Sequence, residues 1–184
     1  MENISSNNDN NKLSKTYMYI LYFFIFAIFG WLLETIYSFI SLGHFTNRGF
    51  LYGPLCPIYG YGAIILILFL RRFKNQPLKL FTYSAAVFTI FEYYVSYILE
   101  ALFHEHWWDY STEFMNINGR ISIFYFFAWG ILALIFIGYI YPFIEKKINK
   151  LLNKINSKFI VVVINLICII YIIDTIASCV RYLI

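Results

Sequence analysis

The chain has 184 residues, of which 61% are hydrophobic and only 13% charged, and its mean hydropathy is +0.67. Soluble domains carry about 25% charged residues, so this composition excludes an ordinary soluble enzyme and predicts an all-α polytopic membrane bundle with little left for soluble domains. The net charge of +4 does not form a basic stripe interleaved with stacking aromatics, which argues against a nucleic-acid partner.

In chain order, residues 1–16 are polar and Asn-rich and read as a disordered cytoplasmic tail. The apolar run that follows is too long for a signal-peptide core and lacks a small-residue cleavage site, so it should remain as an anchor. Apolar stretches predict about five spans, at 17–42, 58–70, 78–103, 121–144 and 159–183. The first four form a membrane core over 17–144. A basic cytoplasmic loop at 145–158 and a fifth span at 159–184 follow. All but three of the 14 lysines and arginines fall on the amino-terminal side, the exceptions being Arg48, Arg120 and Arg181. Cytoplasmic loops carry that excess, which puts the amino terminus inside and the carboxy terminus outside.

Between the first two spans lies a stretch unlike its surroundings, with Asn47, Arg48, Gly49, Gly53, Pro54, Pro57, Tyr59 and Gly60 in close succession. Two readings are open. In one, the prolines interrupt a helix at membrane depth and make a re-entrant segment whose freed backbone must be satisfied by protein or water. In the other, the stretch is a tight external turn with Pro57 in the first turn of span two and glycines permitting close helix contact.

Five ionisable residues fall in or near the spans: Glu34, Glu92, Glu100, Asp174 and Arg181. Each should face protein, pair or lose its charge, because a charge near the bilayer centre costs roughly 2.5–3.5 kcal/mol on insertion scales. Arg48 and Arg120 both sit beside asparagine and glycine, the latter in Asn118-Gly119-Arg120. They are the expected partners of Glu34, Glu92 and Glu100 in a buried ionic cluster at the outer end. That cluster either locks helices together or marks a substrate or ion path. Asp174 and Arg181 share a helix face without direct reach. A helix bearing Glu, an external loop with Asn, Arg and Gly, and a return helix occur twice, at 34–62 and 92–130, which raises a parallel internal repeat.

Chemistry-bearing motifs are scarce. No Gly-Lys dipeptide occurs, so there is no phosphate-binding loop. His104-Glu105-His106 lacks the further histidine of a helical zinc pattern, whose place is Trp108. The three cysteines have neither metal-ligand nor disulfide-framework spacing. No cofactor, metal or catalytic residue is expected.

The order Gly30-Trp31-Leu32-Leu33-Glu34, Asn47-Arg48-Gly49-Phe50-Leu51-Tyr52-Gly53-Pro54, Pro57-Ile58-Tyr59-Gly60, Asn118-Gly119-Arg120 and Trp129-Gly130 resembles the ABC-transporter type IV permease family of bacterial multi-span proteins. The likeness covers about residues 20–145, with the fifth span largely beyond it. It implies a permease subunit of unknown substrate in the bacterial cytoplasmic membrane. The implied partners are membrane lipids and a separate ATP-binding chain, with a homo-oligomer left open. The alternatives are a small lipid-modifying membrane enzyme and a non-catalytic membrane partner or assembly factor.

Overall fold

A computed structural model describes residues 13–45 and 49–184. Asn47 and Arg48 therefore lie outside the described residues, as does most of the amino-terminal tail. Among the described residues the chain is all-helical, with a single isolated bridge between Ile117 and Ile121 in place of any strand.

Helix α1 runs Lys15–Leu42, starting at an N-cap Ser14 and closing at Gly43, which takes φ 74°. Helix α2, Pro57–Ile65, begins with proline at the position where a missing N–H costs nothing. It continues through a π-helical turn, π1, at Leu66–Leu70 and a short 3₁₀ turn at Arg71–Phe73. Helix α3 is Pro77–Phe103, and α4 is Ile123–Ile135. A second π-helical turn, π2 at Phe136–Ile140, joins α4 to α5, Tyr141–Leu152. Helix α6 is Ser157–Leu183.

Four helical stretches are long and apolar enough to cross a bilayer: α1, α3, the run from α4 through α5, and α6. With α2 and π1 as the fifth and shortest, the count agrees with about five. The fourth stretch, Ile123–Leu152, has 30 residues and a length of about 45 Å, well beyond the roughly 30 Å hydrocarbon core. Most of the 145–158 stretch expected as a loop is thus helical, and only 153–156 is not. Ile144, Ile148 and Leu152 recur at helical spacing among Lys146, Lys147 and Lys150, so the amphipathic pattern carries the helix on past the apolar run.

The chain forms two compact units, one of Met1–Ile64 with Phe143–Arg181, the other of Ile65–Pro142 with Tyr182–Ile184. In the first, α1 meets α2 through small residues. Ala27 is fully buried, and a Cβ on Gly60 would stand 2.7 Å from the Phe23 ring. Tyr171 of α6 packs edge-on to Phe23 and Phe24. In the second, Ala85 is fully buried, Gly130 of α4 lies under the Phe81 ring of α3, and Phe88 faces Trp129. Large apolar side chains such as Leu33, Ile40 and Ile170 are exposed. A bilayer is the solvent in which such a surface is at rest, and close packing by small residues is what remains to hold helices together there.

Candidate functional site

In the first unit the non-helical 49–56 segment lies back alongside α1. The Cys56 N–H donates to the Ala27 carbonyl of α1 at 3.0 Å, and Ala27 lies about 22 Å of helix rise below Leu42. Leu51 is buried on the way. A non-helical segment among apolar helices has polar backbone groups that need partners, and α6 supplies them. Asp174 accepts the N–H of Tyr52 at 3.0 Å and that of Gly53 at 2.9 Å. Ser178 Oγ accepts the Tyr52 N–H at 3.2 Å while its hydroxyl donates to Asp174. Arg181 donates to the Phe50 carbonyl at 2.7 Å and lies 4.1 Å over the Tyr52 ring. Gly53 is the residue that lets the carboxylate in, since a Cβ there would meet Asp174 Oδ2 at 2.9 Å.

One turn deeper into α2, the Tyr59 hydroxyl donates to Glu34 Oε1 at 2.5 Å. The Tyr59 ring lies against Gly30, where any Cβ would fall within 2.3 Å of it. Gly30 and Tyr59 therefore act as one device that brings a phenol to the carboxylate on the next turn of α1. Pro57 opens α2, Gly49 takes φ 98°, Pro54 is exposed and Trp31 is half-buried.

The second unit holds the other acids. Glu92, 4% exposed, accepts the Tyr110 hydroxyl at 3.0 Å and the Trp129 indole N–H at 2.8 Å, one on each oxygen. Tyr110 is delivered by the 104–122 loop and stacks on Tyr125 at 4.1 Å. Further along α3, Arg120 pairs with Glu100, and His106 stands 3.8 Å from the other Glu100 oxygen. The Arg120 guanidinium also lies over the rings of Tyr93 and Tyr97, at 5.5 and 5.6 Å.

The loop is held in shape from within. Tyr110 N–H donates to Gly119 O, and the Trp108 indole donates to Arg120 O. Asn118, at φ 53°, donates to the Tyr93 hydroxyl, and Gly119 takes φ 67°. Asp109 accepts the Ser111 N–H at 2.8 Å. That bond, with help from the Ser111 hydroxyl and His106, keeps the exposed Asp109 carboxyl below its ordinary range.

Residues 21–179 match the family described as "Putative ABC-transporter type IV". The chain belongs to the ABC-transporter type IV family. Comparison with curated proteins and with solved structures finds no match.

The family match extends through Asp174 and Ser178 of α6, well past the stretch that carried the resemblance. Of the acids expected to share one ionic cluster, Glu100 meets Arg120, whereas Glu92 is held by neutral donors and Glu34 by Tyr59 among the described residues. The largest omission from the sequence reading is the α6 clamp. Its signal was present as Asp174, Ser178 and Arg181, a polar stripe at helical spacing in an otherwise apolar run. Tyr110 was missed because nothing in a loop tyrosine announces that it turns down onto a carboxylate.

Proposed function

We propose that this type IV family member is the membrane-embedded permease subunit of a transporter in a bacterial cytoplasmic membrane, energised by a separate ATP-binding chain. The residues proposed to serve transport are Glu34 in the first unit and Glu92, Glu100 and Arg120 in the second, with Asn47 and Arg48 as further candidates from the sequence. Trp31, Gly49, Gly53, Pro54, Pro57, Tyr59, Gly60, Asn118 and Gly119 shape the segments around them.

The observation that carries this reading is the non-helical backbone at 49–56, which lies back along α1 and is clamped by Asp174, Ser178 and Arg181. Irregular backbone at membrane depth is tolerated where it is buried in protein or lines a water-filled cavity, and transporters build their sites at such interrupted segments. A helix lock alone needs no such break. Helix α5, with Lys146, Lys147 and Lys150 beyond the apolar run, provides a cytoplasmic face for the ATP-binding partner and for anionic lipid.

The test is affinity purification of the full chain in native lipid, followed by identification of bound proteins and lipids. A co-purifying chain that hydrolyses ATP, faster with this subunit than without it, is expected. Purification without such a chain, accompanied by turnover of the bound lipid, would replace the permease with a membrane enzyme.

A further inference from the structure

The helix pair α1–α2 and the helix pair α3–α4 are built to one plan. At one constant spacing, Phe23, Ala27, Glu34 and Ser38 of α1 correspond to Phe81, Ala85, Glu92 and Ser96 of α3. The buried face follows the same register. Leu80, Ser84, Ala85, Phe88 and Ser96 are buried in α3, and their counterparts Tyr22, Phe26, Ala27, Gly30 and Ser38 are buried in α1. At a second constant spacing, Tyr59, Gly60 and Ala63 of α2 correspond to Trp129, Gly130 and Ala133 of α4. Both glycines and both alanines are buried. At that same spacing the two π turns begin and end together, at Leu66–Leu70 and Phe136–Ile140.

The contacts repeat as well. Gly60 packs against Phe23 and Gly130 against Phe81. The aromatic residue just before each glycine then donates to the glutamate of the preceding long helix, Tyr59 to Glu34 and Trp129 to Glu92. The plan makes one carboxylate position, twice.

Glu92 is the more deeply buried copy. Its partners are a phenol from the loop and an indole from α4. Tyr110 is the titratable group facing it, Trp129 does not titrate, and among the described residues no cation is paired with it. Arg120 is engaged with Glu100, about 12 Å of helix rise further along α3. A carboxylate placed this way can shed its charge only by taking a proton. The protonated form keeps its carbonyl oxygen as an acceptor for the indole, while its hydroxyl can donate to Tyr110 once the phenol turns. Both protonation states are thus accommodated by the same three side chains.

We infer that Glu92 is a reversible proton-binding site, reached through the Tyr110 hydroxyl from the 104–122 loop. The step is a balanced relay: the Tyr110 hydroxyl gives its proton to the Glu92 carboxylate and takes a replacement from water at the loop, and the reverse transfers return it, one O–H bond forming for each that breaks. Glu92 is among the residues proposed above to serve transport. The quantity measured is protonation rather than transport, so the proton site and the permease can fail independently.

The experiment is infrared difference spectroscopy of the full-length protein in lipid vesicles, titrated from alkaline to acid pH. A protonated-carboxyl band characteristic of a buried site is expected to grow in, to vanish in Glu92→Gln and to persist in Glu100→Gln. Trp129→Phe and Tyr110→Phe, which leave the acid in place, should each shift that band by removing one hydrogen bond. Those two variants also serve if Glu92→Gln does not fold. A band untouched by Glu92→Gln, or one that neither Trp129→Phe nor Tyr110→Phe moves, overturns the assignment.

Discussion

Gly53 and Asp174 illustrate how single atoms hold an irregular backbone in an apolar setting. Two backbone N–H groups converge on one carboxylate, and hydrogen bonds to a charged group are worth about 1.5–3 kcal/mol each. Asp174→Asn turns one of those acceptors into a donor facing an N–H. It should therefore loosen the segment by roughly 2–3 kcal/mol. Gly53→Ala should act in the same direction, because its Cβ would stand 2.9 Å from the carboxylate oxygen. Cys56 is a native reporter, since it is buried at the end of the segment. With Cys168 and Cys179 replaced by serine, alkylation of Cys56 in membranes should be slow in the parent and faster in both variants. Equal rates in all three would mean that the clamp does not hold the segment. At this scale the acids were legible in the sequence as charges in apolar runs, but their partners were not. With 17 tyrosines and 20 phenylalanines in the chain, nothing local separates Tyr59 and Tyr110 from aromatic residues that only pack.

At the scale of elements, the 104–122 loop is the clearest case of structure that hydropathy cannot foresee. Its shape depends on left-handed positions at Met115, Asn118 and Gly119 and on side chains that bond to the loop's own backbone. Asp109 is one of these, and its carboxyl is held below the ordinary range by the Ser111 N–H, the Ser111 hydroxyl and His106. A carboxyl depressed in the folded state lends support that is present above its unfolded range and disappears as pH falls through its folded value. Limited proteolysis of the loop should accordingly be pH-independent near neutrality and rise only in that acid range. Asp109→Ala should be cleaved faster at neutral pH. A parent protein cleaved equally at all pH values would remove Asp109 from the loop's support.

The other anchor of the loop is the Arg120–Glu100 pair, in which Arg120 is 14% and Glu100 33% exposed. Removing the arginine leaves an acid half-shielded from solvent. Arg120→Ala should therefore cost roughly 1–3 kcal/mol, below the full penalty of a wholly buried pair because water still reaches Glu100. Glu100→Gln should cost less, as the amide oxygen still accepts from the guanidinium. Thermal unfolding in detergent, followed by Trp fluorescence, would rank the two, and an Arg120→Ala protein as stable as the parent would make the pair ornamental. The helices themselves were legible to within a few residues because apolar runs bounded by glycine, proline and charge leave little choice. The extension of the fourth helix through Leu152 was not, since lysines that end an apolar run need not end an amphipathic helix.

For the whole molecule, the decisive quantity is the number of crossings, because it decides which face the 104–122 loop presents. The lysine and arginine count predicts the amino terminus and the 145–158 stretch on one side, and four helices are long enough to cross without help. The parity therefore depends on α2, whose regular α-helical part is only Pro57–Ile65 and which completes its path through π1 and a 3₁₀ turn. From Pro57 to Phe73 it rises about 25 Å, short of the hydrocarbon core. With α2 crossing as a fifth span, the termini lie on opposite sides. A fluorescent protein that matures only in the cytoplasm should glow when fused to the amino terminus and stay dark at the carboxy terminus, while a phosphatase active only outside should show the reverse. Both termini on one side would mean that α2 enters and leaves by the same face. The 104–122 loop would then face the cytoplasm, while the 49–56 segment, which directly follows α1, would stay on the outer side.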